Sequence, residues 1–302
     1  MNLDNKQLFK GIALMLGAMS VVPMLDVIAK ILSESYPVMQ ISWARFAFHT
    51  LWLAPLLYWQ KLRWWQIPKQ PAFHLLRSVM LTLATLFFFT AIKTNPIPNA
   101  LTLLFVSALI VAMLAPFVLG ERFDIFIGIG VLVGFVGVVI VLQPDTDQFK
   151  PSLLYALVAG FCYALYIITT RKLSLSGQPL LTLFYTAIVG TLFLGPMALS
   201  GWVVPDLVGI LMAATMGLVA AISHFMIIKA FEYATASELS PFGYFEIVVA
   251  MALSFFVFRF VPTYEAVIGL IIIISSGLFV SWRAMKNNRA ITKQSESIIE
   301  ML

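Results

Sequence analysis

Residues 91–101, AIKTNPIPNAL, and residues 230–240, AFEYATASELS, occupy equivalent places between apolar runs in the two halves of the chain. Each stretch closes one apolar run and opens the next, and the two lie about 139 residues apart. Two glycines, Gly128 and Gly269, open apolar runs at nearly the same spacing. Basic residues also end matching runs, at Lys30 and Arg171. The sequence therefore predicts an internal duplication.

The composition places most of the chain in lipid. Of its 302 residues, 61% are hydrophobic and 11% are charged, and the mean hydropathy is +0.96. A soluble domain has about 25% charged residues, so this chain has too little polar surface to cover a water-soluble globule. A helix that spans a bilayer needs about 20 apolar residues. The sequence predicts an all-α integral membrane protein with ten transmembrane helices, at 9–32, 38–59, 73–92, 98–119, 124–142, 152–172, 180–200, 206–230, 236–258 and 264–283.

The distribution of Lys and Arg predicts the orientation, because these residues are enriched on the cytoplasmic side. With a cytoplasmic N-terminus, fourteen basic residues lie on the cytoplasmic side and four on the other, and Arg45 is left inside a helix. Five helices per half is an odd number, so the second half enters from the opposite side. We therefore expect two inverted five-helix repeats, at 1–146 and 147–284, with a polar cytoplasmic tail at 285–302. Inverted repeats are typical of secondary transporters.

Several other classes of protein are disfavoured by the sequence. The net charge is +5, but the basic residues are spread over many short loops, so we expect no nucleic-acid partner. The single cysteine, Cys162, lies in an apolar run, and no Cys/His cluster suggests a metal site. The sequence has no phosphate-binding loop, no H-E-x-x-H and no G-x-S-x-G. We expect no metal, no cofactor and no enzymatic activity.

Motifs spread over nearly the whole chain carry a family resemblance. In chain order they are Trp43 to Phe46, Phe88 to Ile92, Pro98 with Ala100, Phe105 to Ser107, Leu119 to Arg122, Gly134 to Val138, Gln143-Pro144, Lys229 to Phe231, Pro241 to Tyr244, and Gly277-Leu278. By the order and spacing of these motifs, the chain resembles the drug/metabolite transporter superfamily, specifically its EamA-type ten-helix members.

The resemblance implies a secondary transporter of the bacterial inner membrane that moves a small metabolite by alternating access. It also implies a central cavity lined by helices 1, 3, 4, 6, 8 and 9. Export of amino acids or related metabolites is the first expectation, and uptake of a cofactor-like solute such as riboflavin or S-adenosylmethionine is the second. Protons are a candidate coupling ion. A membrane-embedded transferase and a structural or sensory protein are the remote alternatives.

Ionisable residues inside membrane helices are the best guide to a site, because each costs from about 2.5 kcal/mol upward unless it faces a cavity or a partner. Glu246 lies mid-helix between Phe245 and Ile247, and is either a cation- or proton-binding carboxylate or a neutral group that packs two helices. Ser240 and Tyr244 share a face with spacing i, i+4. Pro241 removes a backbone hydrogen bond beside them. His224 is either a proton relay or a hydrogen-bonded interhelical residue.

The first half of the chain supplies further candidates. Arg45 and His49 share a face of helix 2, and the resemblance favours a structural or gating role for Arg45 over solute contact. Trp43 is an aromatic wall or an interface anchor. Asp26 forms either an ion pair with Lys30 or a gate or ligand contact.

Aromatic residues on two helices are candidate pocket walls, namely Phe88 on helix 3 and Tyr163 and Tyr166 on helix 6. Near helix ends, Arg77, Lys93 and Lys229 are expected to snorkel towards water. Gly130 and Gly134 form a G-x-x-x-G motif, which indicates close packing within the monomer or contact in a homodimer.

Overall fold

The computed structural model describes residues 3–63, 65, 67–120, 124–142, 151–174, 178–259, 264–265, 267–269, 271–280, 282–283 and 286. Over these ranges the chain forms helices and connecting segments, with no strand. The helices are α1 Leu3–Leu32, α2 Val38–Trp59, α3 Pro71–Thr94, α4 Ile97–Leu104, α5 Val106–Leu119, α6 Ile125–Leu142, α7 Leu153–Ser174, α8 Pro179–Ala198, α9 Leu207–Tyr233, α10 Ala236–Leu239, a 3-10 helix Ser240–Tyr244, and α11 Phe245–Phe258. A further apolar helical segment is Val267–Val280.

Among the described residues, five helices are long and apolar enough to cross a membrane, namely α1, α3, α7, α8 and α9. Helix α2 also has 22 residues, and it contains the buried polar residues Gln40, Arg45 and His49. Large apolar side chains cover the outside, including Phe117 and Leu192, which are 84% and 70% exposed. Such a surface suits lipid rather than water. The expectation of an all-helical membrane protein is confirmed, while the count of ten spans and the orientation stay predictions.

Two predicted helices are interrupted. The run predicted at 98–119 divides into α4 and α5 at Phe105, where the N–H of Ala108 bonds to the carbonyl of Phe105 in a tighter turn. The run predicted at 236–258 contains the 3-10 helix Ser240–Tyr244, because Pro241 has no N–H to donate. The two interruptions meet, since the ring centroids of Phe105 and Tyr244 lie 5.5 Å apart at 83°.

The helices pack in recurring pairs. Helix α1 packs along α9 and α3 packs along α7, and these are the two most extensive contacts. Helix α2 lies against α8 and α9, and α8 also contacts α3. Helix α1 contacts α11, while α7 contacts α4 and α5. The polar residues of α1, α2, α3, α7, α9 and α11 therefore converge on the centre of the bundle.

Basic residues donate hydrogen bonds to the carbonyls at the ends of two central helices. Lys30, near the end of α1, donates from Nζ to the carbonyls of Ile92 and Asn95 at the end of α3, at 2.7 and 2.9 Å. Arg171, near the end of α7, donates to the carbonyl of Phe231 near the end of α9. The last carbonyls of a helix lack intrahelical donors and carry partial negative charge, so a cation stabilises them. The expected ion pair between Asp26 and Lys30 is wrong, because the ammonium of Lys30 bonds these carbonyls.

Candidate functional site

A cavity of about 60 Å³ lies at the centre of the bundle and is lined by six of the predicted site residues. The six come from six different helices and are Asp26 on α1, Arg45 on α2, Phe88 on α3, Tyr163 on α7, His224 on α9 and Glu246 on α11. The rest of the wall is mostly apolar and consists of Val22, Leu25, Leu81, Ala84, Thr85, Phe89 and Leu104.

Two carboxyl groups face this cavity. Asp26 and Glu246 are each 3% exposed, and their charges are close enough to repel each other. Among the described residues, Oδ2 of Asp26 has no hydrogen-bond partner. A buried oxygen without a partner costs about 1–3 kcal/mol, and more when it is charged. These acids can therefore accept a cationic group that enters the cavity.

Arg45 supplies the positive charge of the cavity. Its NH1 donates to Oγ1 of Thr85 at 2.7 Å, and its NH2 lies 2.6 Å from Nε2 of His224. The guanidinium carbon lies 4.6 Å from the centroid of the Phe46 ring. Its Nε is buried, and in the described part of the chain it finds no acceptor. Since guanidinium pairs bidentately with carboxylate, Arg45 is suited to hold an anionic group of a solute.

His224 joins Arg45 to a deeper polar cluster. A guanidinium only donates hydrogen bonds, so Nε2 of His224 must be the acceptor from Arg45. Its Nδ1 lies 2.9 Å from the hydroxyl of Tyr166 and carries the hydrogen of the neutral ring. The structure therefore contains a continuous polar chain from Thr85 through Arg45 and His224 to Tyr166.

Arg77 continues that chain, and the sequence reasoning misjudged it. It was expected to snorkel, but it is fully buried. It donates to the hydroxyl of Tyr166 at 3.2 Å, to Oγ1 of Thr170 at 2.9 Å, to the carbonyl of Thr182 at 3.2 Å and to Oγ1 of Thr186. The snorkelling prediction is wrong because these acceptors on α7 and α8 replace water. The sequence offered no signal for these contacts, because the acceptors lie on other helices far along the chain.

The other two basic residues expected to snorkel have different surroundings. Lys93 is exposed. Lys229 is part-buried and forms an ion pair with Glu232.

Four predicted residues lie outside the lining of the central cavity. Tyr244 is fully buried and donates to the carbonyl of Val131 at 3.2 Å. His49 is also fully buried, and its ring lies parallel to that of His224 with centroids 6.4 Å apart. Trp43 lines a separate apolar cavity with Trp202. Ser240 begins the 3-10 helix, and its side chain lies outside the described part of the structure.

A second cavity, of about 40 Å³, adjoins the central one. Met15, Phe105, Val111 and Phe231 are among its lining residues. Tyr163 and Glu246 line both cavities, so their side chains stand between the two spaces. Within the described ranges, no group of three or more His, Cys, Asp or Glu residues could hold a metal ion.

The comparison with protein families decides the class of this membrane protein. The sequence model of the EamA-like transporter family matches residues 9–143 and matches again at residues 150–282. The chain belongs to the EamA-like transporter family. The resemblance to drug/metabolite transporters is thereby confirmed, and membership of the EamA-like family makes the chain a multi-pass membrane transporter of small solutes rather than an enzyme.

Similar proteins include other transporters of bacteria. The S-adenosylmethionine uptake transporter of Rickettsia prowazekii (strain Madrid E) is 28% identical, over 87% of this chain and 89% of its own length. The riboflavin transporter of Vibrio cholerae (serotype O1) is 28% identical, over 73% of this chain and 75% of its own length. A crystal structure matches with a TM-score of 0.74 over 93% of this chain and 99% of that chain, at 16% identity, which shows the fold alone.

Proposed function

We propose that this EamA-like chain is a secondary transporter that takes up an organic cation of the S-adenosylmethionine class through the central cavity. The named relatives support uptake of a cofactor-like solute better than the export of amino acids that was first expected.

Two acids and one arginine face the same buried, aromatic-walled cavity, and this arrangement is the main support for the proposal. When all three are ionised, Asp26, Glu246 and Arg45 have one net negative charge. S-adenosylmethionine has a carboxylate, an ammonium and a sulfonium, and so one net positive charge. Arg45 would hold the carboxylate, while Asp26 and Glu246 would face the two cationic centres. Charged groups inside a membrane protein need such partners, so a solute of opposite net charge is the best match.

The walls of the cavity fit the remainder of this solute. Phe88, Phe89 and Tyr163 line it, and aromatic rings accept both a flat base and a cation over their faces. A sulfonium, like a quaternary ammonium, is a poorly hydrated cation that aromatic walls can bind. The adenine ring and the sulfonium would therefore both find partners in one wall.

Riboflavin is the second candidate, and the flat aromatic wall together with the Vibrio cholerae relative favours it. Its ring system is uncharged, so it offers no counter-charge to Asp26, Glu246 or Arg45. Burying three charged groups without a counter-charge is costly. The charges of the cavity therefore favour the cationic solute.

The same proposal includes ten transmembrane helices in two inverted repeats, at 1–146 and 147–284, with both termini in the cytoplasm of a bacterial cell. The pairing of the helices supports it. Helix α1 begins the first repeat and packs along α9 of the second, while α7 begins the second repeat and packs along α3 of the first. Two hydrogen bonds also correspond between the repeats. Lys30 of α1 donates to the carbonyl of Ile92 on α3, and Arg171 of α7 donates to the carbonyl of Phe231 on α9. The family model also matches the chain twice.

Alternating access gives a route through the molecule. With the proposed orientation, the second cavity lies on the cytoplasmic side of the central one, since Met15 precedes Asp26 on a helix that starts in the cytoplasm. Tyr163 and Glu246 then separate bound solute from the cytoplasm. Rocking of the two halves would move these side chains apart and release the solute inward.

Counterflow in proteoliposomes tests the function. Vesicles that contain the purified protein are preloaded with unlabelled S-adenosylmethionine, riboflavin, threonine or an aromatic amino acid, and trace label is added outside. The proposal predicts accumulation of labelled S-adenosylmethionine and little with the amino acids. Accumulation of threonine or an aromatic amino acid instead would restore the first expectation.

A further inference from the structure

The geometry between Arg45 and His224 points to a switch that couples solute binding to proton uptake. We propose that a carboxylate of the solute draws the guanidinium of Arg45 away from His224, and that His224 then takes a proton at Nε2. This inference rests on the proposed function, because it needs a solute with a carboxylate in the central cavity. In addition to the transport itself, His224 is the proton acceptor, and the movement of Arg45 makes it available.

The present contact keeps His224 neutral. The NH2 group of Arg45 lies 2.6 Å from Nε2 of His224, which leaves no space for a second hydrogen between the two nitrogens. Nδ1 already uses its hydrogen toward the hydroxyl of Tyr166, at 2.9 Å. A proton on Nε2 would set two positively charged donors against each other. His224 can therefore accept a proton only after Arg45 has moved.

A carboxylate changes that arrangement without disturbing the other side of the ring. Placed between Arg45 and His224, it accepts hydrogen bonds from both, since each carboxylate oxygen has two lone pairs. Nε2 changes from acceptor to donor and gains one proton, which the buffered solution supplies, so that no hydroxide is left in the cavity. The bond from Nδ1 to Tyr166 stays as it is. The solute anion and the imidazolium then form a charge-assisted pair, so solute and proton bind together.

Other groups around His224 influence the proton balance. His49 of α2 lies beside it, Tyr166 of α7 packs against it, and Tyr163 of α7 stacks on Tyr166. Arg77 of α3 reaches it through Tyr166. Asp26 and Glu246 share its cavity. A cationic solute would favour ionisation of these two acids and thus the release of protons, so the contribution of His224 must be measured as a difference between two variants.

Calorimetry on the full-length protein in nanodiscs can isolate this contribution. S-adenosylmethionine is titrated at pH 7 into the wild type and into His224→Gln, in buffers with different heats of ionisation. The slope of the binding heat against the heat of ionisation gives the protons taken up per solute. Gln keeps an oxygen for Arg45 but does not titrate. His74→Gln is the matched control, since His74 lies on α3 outside the lining of the cavity.

The expected result is that the wild type and His74→Gln take up about one proton more per solute than His224→Gln does, since histidine titrates near neutral pH. Equal proton numbers in all three proteins would overturn the switch and leave the proposed function intact. Absence of binding to the wild type would instead overturn the proposed solute, and the switch with it.

Discussion

Arg77 on α3 and Tyr166 on α7 make two contacts with each other. NH2 of Arg77 donates to the phenol oxygen at 3.2 Å, and the guanidinium carbon lies 4.8 Å from the centroid of the same ring. The phenol oxygen also meets Nδ1 of His224. A fully buried arginine at the junction of α3, α7 and α8 is therefore connected with the wall of the central cavity. We therefore expect Arg77 to stabilise the bundle, whereas the charged residues that line the central cavity act on the solute.

Arg77→Ala should destabilise the protein. It removes four hydrogen bonds to α7 and α8 and leaves a buried space where the side chain packed. Each unsatisfied buried partner costs about 1–3 kcal/mol. We expect the apparent melting temperature in detergent to fall by about 5 °C or more.

The matched control for this substitution is Lys93→Ala, since Lys93 is exposed on the same helix. Its melting temperature should equal that of the wild type. Equal melting temperatures for Arg77→Ala and Lys93→Ala would mean that the guanidinium of Arg77 does not stabilise the packing of these helices.

Glu246→Gln should impair uptake while leaving the protein folded. The amide keeps the size of the side chain but cannot offer a negative charge to a cationic solute. Hydrogen bonds to charged groups contribute about 1.5–3 kcal/mol, so the initial rate of uptake at low solute concentration should fall tenfold or more. Labelled S-adenosylmethionine in proteoliposomes provides the measurement.

Glu34→Gln is the control for the loss of a carboxylate, because Glu34 is exposed beyond the end of α1. Its uptake should equal that of the wild type. Undiminished uptake by a folded Glu246→Gln protein, at every pH tested, would remove Glu246 from the site.

Two glycine substitutions should change stability in opposite directions. A Cβ at Gly160 of α7 would lie 2.8 Å from the carbonyl oxygen of Leu104 and 2.9 Å from that of Leu103, and backbone cannot move aside easily. Gly160→Ala should therefore lower the melting temperature. A Cβ at Gly128 of α6 would meet nothing within 4 Å. Gly128→Ala should raise it slightly, since Ala is favoured over Gly in a helix by about 1 kcal/mol.

These two variants check each other in one thermal unfolding experiment. A Gly160→Ala protein that is as stable as Gly128→Ala would mean that α7 does not approach α4 as closely as the structure shows.

Lys30→Met should loosen the end of α3. It removes the donor to the carbonyls of Ile92 and Asn95, together with the favourable charge at the helix C-terminus, which contributes about 0.3–1 kcal/mol. Amide hydrogen exchange over residues 91–97 should become faster.

Lys93→Met is the comparison for Lys30→Met, because it removes a neighbouring charge that is exposed. Exchange that is unchanged in Lys30→Met, or equally fast in both variants, would contradict the role of Lys30 in closing this helix.

The sequence identified buried ionisable residues as candidates, because an ionisable group in lipid must find a cavity or a partner. Asp26, Arg45, His224 and Glu246 all line the central cavity, and their roles in binding or coupling stay predictions. The same rule failed for Arg77, since sequence alone could not show that Thr170, Thr182 and Thr186 of other helices would surround it. The position of a residue in the sequence does not show which residues of other helices will lie next to it.

The helices were predicted more fully than their interruptions. Apolar runs of about 20 residues identify the spans, and Pro241 signalled a broken hydrogen bond. The turn at Phe105 has no proline and no glycine, so it had no local signal. Tyr244 was predicted at the site from its spacing with Ser240, but its hydroxyl bonds the carbonyl of Val131 instead. Helix spacing shows which residues share a face and leaves open which neighbour that face meets.

The most direct test of the account is a structure determined in nanodiscs with S-adenosylmethionine present. The account predicts solute density in the central cavity, with the carboxylate on Arg45 and the cationic centres facing Asp26 and Glu246. Density for the solute in the separate apolar cavity of Trp43 and Trp202, with the central cavity unchanged, would contradict it.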